Sequence, residues 1–504
     1  MLLVAAAFFL LMALTPPPES LVTLVQGEPP PGYQLQPGTH SITESVNEIL
    51  NANLTPEEVA YKAKIAVAIL FVAAFLWGTE AIPLGATDLL VGSLLYLFAV
   101  LPLDSISKAY MKDAVFFIFG VLAIAVGASK TGLDRRLAVL LLAKVKNIKG
   151  FCFVFCPILA ILAGFFSEHA LIAILVPVLL RVYRSACDYY KVKSDRALAL
   201  LLLLGVCFAC NQGGPASPAA GGRNAIMVGY FKEFGSPMTF ARWVMYGLPY
   251  VLVISLLLAA FMYCIFRRKI KLPDVEFAKV VRGEMNALGG MRAKEAIMTV
   301  ILLTVAVMWL TASRQFGLGG PAIFAVVLML IFRVIDWSDI QGRVRFDVVG
   351  LYAAACAIGV ALRVTGASLW LATSVINALP GPFKEGNPLI IAISAFTGVL
   401  TNFMSDGATV GAVGPVALSM GQVAGIHIWK VGLACAFSSS FANLSIVGTP
   451  NNAIAYVGAV DPETGERLLR LKDFLIYGLP VTVLAWLVLW GWAILGYWKW
   501  LPWN

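Results

Sequence analysis

The sequence predicts an all-α polytopic membrane protein: an inverted repeat with two re-entrant hairpins, two broken helices and about 11 transmembrane helices. Three observations predict it. The first is composition: 60% of the 504 residues are apolar and only 13% are charged, with a mean hydropathy of +0.85. Soluble domains run at about 45–50% apolar and about 25% charged, so a water-soluble body of this size could not hide so much apolar surface. Disordered, collagen-like and disulfide-stapled classes fall by the same numbers. The apolar runs are continuous rather than alternating, which excludes a transmembrane barrel. The second observation is where the basic residues sit, and the third is a set of paired motifs at a steady offset.

Taken in order, residues 2–14 are apolar but short, and no Lys or Arg precedes them. They read as a first membrane helix, with a cleaved signal as the alternative. Thr15 to Tyr61 carries six acidic residues, no Lys or Arg, and two Pro-rich stretches. Residues 1–60 are therefore a helix followed by an extracytoplasmic segment. The first half spans 61–266. Within it the apolar stretch 151–180 is preceded by Lys144, Lys146 and Lys149 and followed by Arg181, Arg184, Lys191, Lys193 and Arg196. Both its ends face the cytoplasm, so it enters and leaves on one side. Residues 267–293 are a basic cytoplasmic linker, and 294–504 form the second half. There the matching stretch 388–420 is flanked only by Lys384 and Lys430, so its ends face outside. This charge asymmetry gives the halves opposite orientations.

The motif pairs support the duplication. Thr131-Gly132 matches Thr365-Gly366, Ser167-Glu168-His169-Ala170 matches Ser405-Asp406-Gly407-Ala408, and Asn224-Ala225-Ile226 matches Asn452-Ala453-Ile454. Unpaired backbone groups cannot face lipid, so four breaks at membrane depth must face one another or line a wet cavity. Half-helix N-termini favour anionic groups and carbonyl-bearing C-termini favour cations, so the meeting point suits a small anion together with a coupling cation.

The stretch FLWGTEAIPLGATDLL around 76–90, VFFIFGVLAIAVGASKTGLDRRLAV, the two Ser-centred tips and NLSIVGTPNNAI resemble the divalent-anion/sodium symporter (DASS) family over residues 61–499. The resemblance implies a dimeric elevator transporter that moves di- or tricarboxylates or sulfate with sodium. It also implies substrate contacts from Ser167, Glu168 and His169 at the first tip and from Ser405, Asp406 and Gly407 at the second. Arg223, Asn224, Thr449 and Pro450 contribute from the broken helices. Sodium would be held around Ser167, Glu168, Gly221, Asn402, Ser405, Asp406 and Gly448. The family's tips read Ser-Asn-Thr, and here only the serines match. The second broken helix keeps Thr449-Pro450, whereas the first reads Gly221-Gly222-Arg223-Asn224.

An acid at each tip repels a dianion and is costly in the bilayer, so Glu168 and Asp406 need a partner or a proton. Arg223 can neutralise Glu168 or bind an anion bidentately, and His169 can exchange a proton near neutral pH. The bland alternatives are a structural Glu168–Arg223 pair, a satisfied His169, and an Arg223 that caps helix-end carbonyls. Asn402, Asn443 and Asn452 either offer oxygens to sodium or hold the breaks together. Glu80 reads as a cap at a cytoplasmic turn, the Cys207–Cys210 pair as packing, and the C-terminal tryptophans as an interfacial belt.

The resulting expectation is a multi-pass protein of the bacterial cytoplasmic membrane, surrounded by lipid and forming a homodimer. It carries a small anionic substrate with sodium or protons. The alternative keeps the fold but carries a zwitterionic or cationic substrate on Glu168 and Asp406. No H-E-x-x-H, G-x-S-x-G or GxxxxGK[ST] motif suggests an enzyme or an ATP-driven pump, and the basic residues form no nucleic-acid face.

Overall fold

The computed structural model describes residues 1–31, 33–166, 168–272, 283, 286, 288–461 and 463–503. Ser167 and residues 273–282, 284, 285 and 287 of the 267–293 linker lie outside the described residues.

The described chain is helical, with one isolated bridge between Val460 and Arg467. The N-terminal part holds α1 (Leu2–Leu14), α2 (Glu19–Gln26) and α3 (Ile42–Leu50). The first half then runs α4 (Pro56–Thr79), α5 (Leu84–Leu97), α6 (Leu103–Tyr110), α7 (Asp113–Thr131) and α8 (Leu133–Leu142). It continues with α9 (Ile148–Ala163), α10 (Glu168–Tyr189), α11 (Arg196–Gly213), α12 (Gly222–Glu233) and α13 (Phe240–Phe266). The second half comprises α14 (Ala293–Phe316), α15 (Gly319–Ile331), α16 (Trp337–Arg343), α17 (Phe346–Val364) and α18 (Ala367–Ala378). After these come α19 (Gly386–Leu400), α20 (Asp406–Val423), α21 (Ile428–Ser438), α22 (Pro450–Gly458) and α23 (Leu471–Leu487).

Local sequence explains the ends. Thr55 and Glu58 form a reciprocal capping box, with Pro56 at the first helical position of α4, where its missing N–H costs nothing. The Asp195 carboxylate accepts the Ala197 and Leu198 N–H groups to start α11. Gly132 and Gly366, at φ 82° and 77°, take the left-handed conformation that stops α7 and turns the chain into α18.

Among the described residues, eight helices are long and apolar enough to cross a membrane alone, or nine if the bent pair α1–α2 is taken as one span. The expected eleven is reached only by adding short or broken apolar segments such as α5, α15 and α21–α22. α1 is a 13-residue helix that lies against α4, where Phe8 meets Phe71 edge-on at 6.1 Å. The apolar window of the α11 span is 94% buried and that of α14 only 28%, so the interrupted helix lies at the centre and α14 at the lipid face.

The repeat extends to individual hydrogen bonds. Asn224 Nδ2 donates to Gly214 O and Ser217 O at 2.8 and 2.7 Å, and Asn452 Nδ2 donates to Ala442 O and Ser445 O at 2.8 and 2.6 Å. All three pairs are offset by the same 228 residues. Ser217 Oγ reaches the first tip at Gly164 O (2.5 Å), as Ser445 Oγ reaches the second at Asn402 O (2.8 Å). A further pair escapes a reading of the tips alone: Tyr246-Gly247-Leu248-Pro249 in α13 and Tyr477-Gly478-Leu479-Pro480 in α23. A Cβ on Gly247 would strike Pro215 O, and one on Gly478 would strike Asn443 O. Each helix thus packs a bare backbone against the carbonyl of a break.

Candidate functional site

Two hairpins, α9–α10 and α19–α20, bring their tips to the same level as the breaks in α11–α12 and α21–α22. Glu168 is the first residue of α10 and Asp406 the first of α20. A carboxylate there lies against the positive end of its own helix, which favours it. Ser405 caps α20 by accepting the Ala408 N–H at 3.3 Å, and Asp406 Oδ1 accepts the Gly407 N–H at 2.6 Å.

Arg223 joins these pieces. It is the second residue of α12 and is 2% exposed. Its Nη1 donates to Glu168 Oε1 at 3.1 Å and to Asp406 Oδ2, and its Nε donates to Ser440 Oγ at 2.9 Å. One guanidinium therefore links both hairpin tips and the second break to the first. Glycine makes room for it. A Cβ on Gly214 would overlap Nη2 and come within 2.7 Å of Ser440 Oγ, and one on Gly221 would lie 2.8 Å from Nη1. The charge of the trio, taken as ions, is minus one. Two atoms in it, Glu168 Oε2 and Arg223 Nη2, are buried without a hydrogen-bond partner among the described residues. An acceptor and a donor left open together in one buried cluster are the feature a ligand would satisfy.

Beside the trio is a cavity of about 760 Å³. Of the residues singled out from the sequence, Glu168, His169, Gly221, Arg223, Ser405, Asp406, Gly407 and Pro450 line it. Asn224, Asn402, Gly448 and Thr449 are not among its lining residues. Asn224 clamps the first break as described above. Asn402 donates to Gly398 O and Phe441 O and accepts the Leu444 N–H at 2.9 Å. Thr449 caps α22 by accepting the Asn451 N–H at 3.4 Å, and Gly448 abuts the carbonyl of Thr401. The amide oxygens proposed for sodium are engaged within the protein: Asn443 Oδ1 accepts Asn211 Nδ2, and Asn452 Oδ1 accepts Asn211 Nδ2 and Cys207 Sγ. Of the residues singled out, Glu168 Oε2 and Asn224 Oδ1 are buried oxygens without a hydrogen-bond partner among the described residues, and of these two residues Glu168 is the one that lines the cavity.

His169 Nδ1 lies 2.6 Å from Asn451 Oδ1, and Asn451 Nδ2 donates to Asn211 Oδ1 at 2.9 Å. The first tip is thereby tied through a buried amide chain to α22 and α11. Sequence reasoning missed Asn211, Asn451, Ser440 and Tyr352. Tyr352 lines the cavity from α17, with its hydroxyl where a Cβ on Gly222 would fall. The signal for the asparagines was their position in apolar runs, where a polar side chain needs a partner. Glu80, read from the sequence as a cap, is the C-cap of α4 in the left-handed conformation at φ 47°. It also lines the far end of the cavity with Arg343 and Arg345.

The family model described as "Sodium:sulfate symporter transmembrane region" matches residues 47–504. The sodium-dependent dicarboxylate transporter SdcS of Staphylococcus aureus is 25% identical over 460 residues, covering 85% of each chain. Two solved structures share the fold at 13% identity. One is MtrF of Neisseria gonorrhoeae, described as illuminating a class of antimetabolite efflux pumps, with a TM-score of 0.54 over 90% of this chain and 98% of that one. The other is the YdaH transporter of Alcanivorax borkumensis, reported to have an unusual topology, with a TM-score of 0.55 over 86% and 97%. The eight helices that are long and apolar enough to cross a membrane among the described residues, the apolar composition and a family match spanning nearly the whole chain lead to one conclusion: this is a multi-pass integral membrane protein that belongs to the sodium:sulfate symporter family, the divalent-anion/sodium symporters it resembles in sequence.

Proposed function

We propose that the protein is a secondary active transporter that carries a small carboxylate or similar oxyanion across the cytoplasmic membrane with sodium or protons. The observation that carries this reading is the convergence of both hairpin tips and both helix breaks on Arg223 beside a 760 Å³ cavity. Breaks at membrane depth are tolerated only where protein or water meets them, and a guanidinium is the side chain best shaped to hold an oxyanion. The family membership and the sodium-dependent dicarboxylate relative support sodium as the coupling ion.

The hairpins and broken helices form the moving unit of a homodimeric elevator, and the two halves 61–266 and 294–504 are its inverted repeats. The paired Asn224 and Asn452 clamps support the repeat assignment. The cavity extends from Arg223 to Glu80, Arg343 and Arg345, the end that the charge rule turns toward the cytoplasm. On the other face Lys112 pairs with Glu233, joining α7 to the end of α12.

A second reading is favoured by the minus-one charge of the trio and the open Glu168 Oε2: a substrate bearing an amine as well as a carboxylate would satisfy both. Thermal unfolding of the purified protein, crossing sodium against potassium with dicarboxylates, tricarboxylates, sulfate and amino acids, separates the two. A ligand at about 100 times its dissociation constant stabilises by about 2.7 kcal/mol. Stabilisation by a carboxylate or sulfate that requires sodium supports the first reading. A response confined to zwitterions supports the second, and no response to any anion, followed by no uptake into proteoliposomes, refutes both.

A further inference from the structure

We propose that the Arg223 guanidinium is a built-in cation: it permanently fills a position between the two hairpin tips that a transported cation would otherwise occupy. This rests on reading the centre as the transport site. Three features support it.

The first is placement. Arg223 touches every interrupted element at once: Glu168 at the first tip, Asp406 at the second, Ser440 in the second break, and the bare backbones of Gly214 and Gly221 in its own. That is the point where the membrane-depth breaks concentrate carboxylate, hydroxyl and backbone dipoles.

The second is helix electrostatics. Arg223 lies in the first turn of α12, the positive end of a helix dipole, where a cation is disfavoured. No local helix-forming preference explains a cation there. The two carboxylates offset the penalty, and each is itself well placed at the start of its own helix. The charge is therefore supplied for the tips.

The third is geometry. A guanidinium that is 2% exposed, with Nη1 shared by two carboxylates and Nε held by Ser440, is fixed in the protein. It travels with the tips and needs no binding equilibrium. Without it, Glu168, which is buried, and Asp406, which is part-buried, would face each other as two negative charges, an arrangement that recruits a cation. Glu168 Oε2, buried and open, would be its first oxygen ligand.

The test is the cation response of the full-length purified protein in the absence of substrate. Tm is measured against sodium chloride, with choline chloride at equal ionic strength as the reference. Arg223→Ala should acquire a saturable sodium-specific rise in Tm that the parent lacks or shows to a smaller extent, and methylguanidinium should raise the variant's Tm but not the parent's. Arg223→Lys, which keeps a tethered cation, should respond to sodium as the parent does. Should Arg223→Ala not fold, Arg223→Gln combined with Asp406→Asn carries the same test. The trio's net charge stays at minus one, the Asp406 carboxylate leaves together with the tethered cation, and Glu168 with its open Oε2 remains as the anionic ligand, so a sodium response weaker than that of Arg223→Ala but above the parent's should appear. A sodium response equal to the parent's in whichever of these two variants folds overturns the proposal. Because no substrate is present, that result leaves the anion-transport reading standing. Loss of anion binding in the parent would instead remove that reading and leave the cation response unaffected.

Discussion

Replacing Asn224 or Asn452 tests whether the two breaks are held by one repeated device. Both side chains are fully buried. In Asn224→Ala the carbonyls of Gly214 and Ser217 lose their side-chain donor, and a buried polar group left unpaired costs about 1–3 kcal/mol. Ser217 O keeps the Ala220 N–H at 3.3 Å, so the expected loss lies in the lower half of the summed range, about 2–4 kcal/mol. Asn452→Ala removes the equivalent pair of donations and, in addition, the acceptor for Asn211 Nδ2 and Cys207 Sγ. Asn211 Nδ2 keeps Asn443 Oδ1 at 3.1 Å, so the increment is about 1 kcal/mol. Asn224→Asp is the decisive change. It is isosteric, but an ionised carboxylate presents oxygen to two carbonyl oxygens and can donate to neither, so it should destabilise more than alanine. Thermal unfolding followed by tryptophan fluorescence should therefore rank the parent above Asn224→Ala, and Asn224→Ala above both Asn452→Ala and Asn224→Asp. An Asn224→Asp protein as stable as the parent would falsify the clamp.

Gly247→Ala and Gly478→Ala should each destabilise by about 1–3 kcal/mol through overlap with a break carbonyl, read as matching losses of Tm; a silent change at either position contradicts the packing. Tyr230→Phe removes a hydroxyl shared by Ala355 O at 3.0 Å and Gly411 O at 2.9 Å. It should cost about 1 kcal/mol, measured by the same unfolding assay, because the hydroxyl has one proton for two acceptors. At the end of α7, the hydrogen bond from Lys130 holds the Asp339 carboxyl below its ordinary range. A depressed carboxyl stabilises above its unfolded pKa and loses that contribution as pH falls through the folded value. The parent's Tm should thus drop on acidification below about pH 4, and Asp339→Asn should flatten that limb. Equal slopes in the two proteins would show the pair to be inert.

The membrane class, the two hairpins and the interrupted helices were legible because each is written in a local signal: an apolar run, a cluster of lysines on one flank, or a glycine-rich gap. The repeat was legible because its motifs recur at fixed offsets. The roles of the asparagines were not. Asn402, Asn443 and Asn452 look alike as polar residues near a break, and only the fold shows that their oxygens accept from Leu444, Asn211 and Cys207. Tyr352 gave no signal, since an aromatic residue in an apolar helix is ordinary packing until a cavity is placed beside it. The expected eleven crossings blur in the structure because α5 and α15 are only 14 and 13 residues long, short of the ~20 residues an upright span needs.

The sequence by itself determined that this chain lives in a membrane, that its halves are inverted copies, and that acids sit at both hairpin tips with an arginine in the first break. These follow from hydrophobicity, charge placement and repetition, which act along the chain. The tertiary structure alone decided that Glu168, Arg223 and Asp406, separated by 55 and 183 residues, share one guanidinium nitrogen. A buried charge must be paired, but which of many partners pairs it depends on how the helices pack. That packing is set by the summed fit of their faces, a property no local stretch of sequence contains.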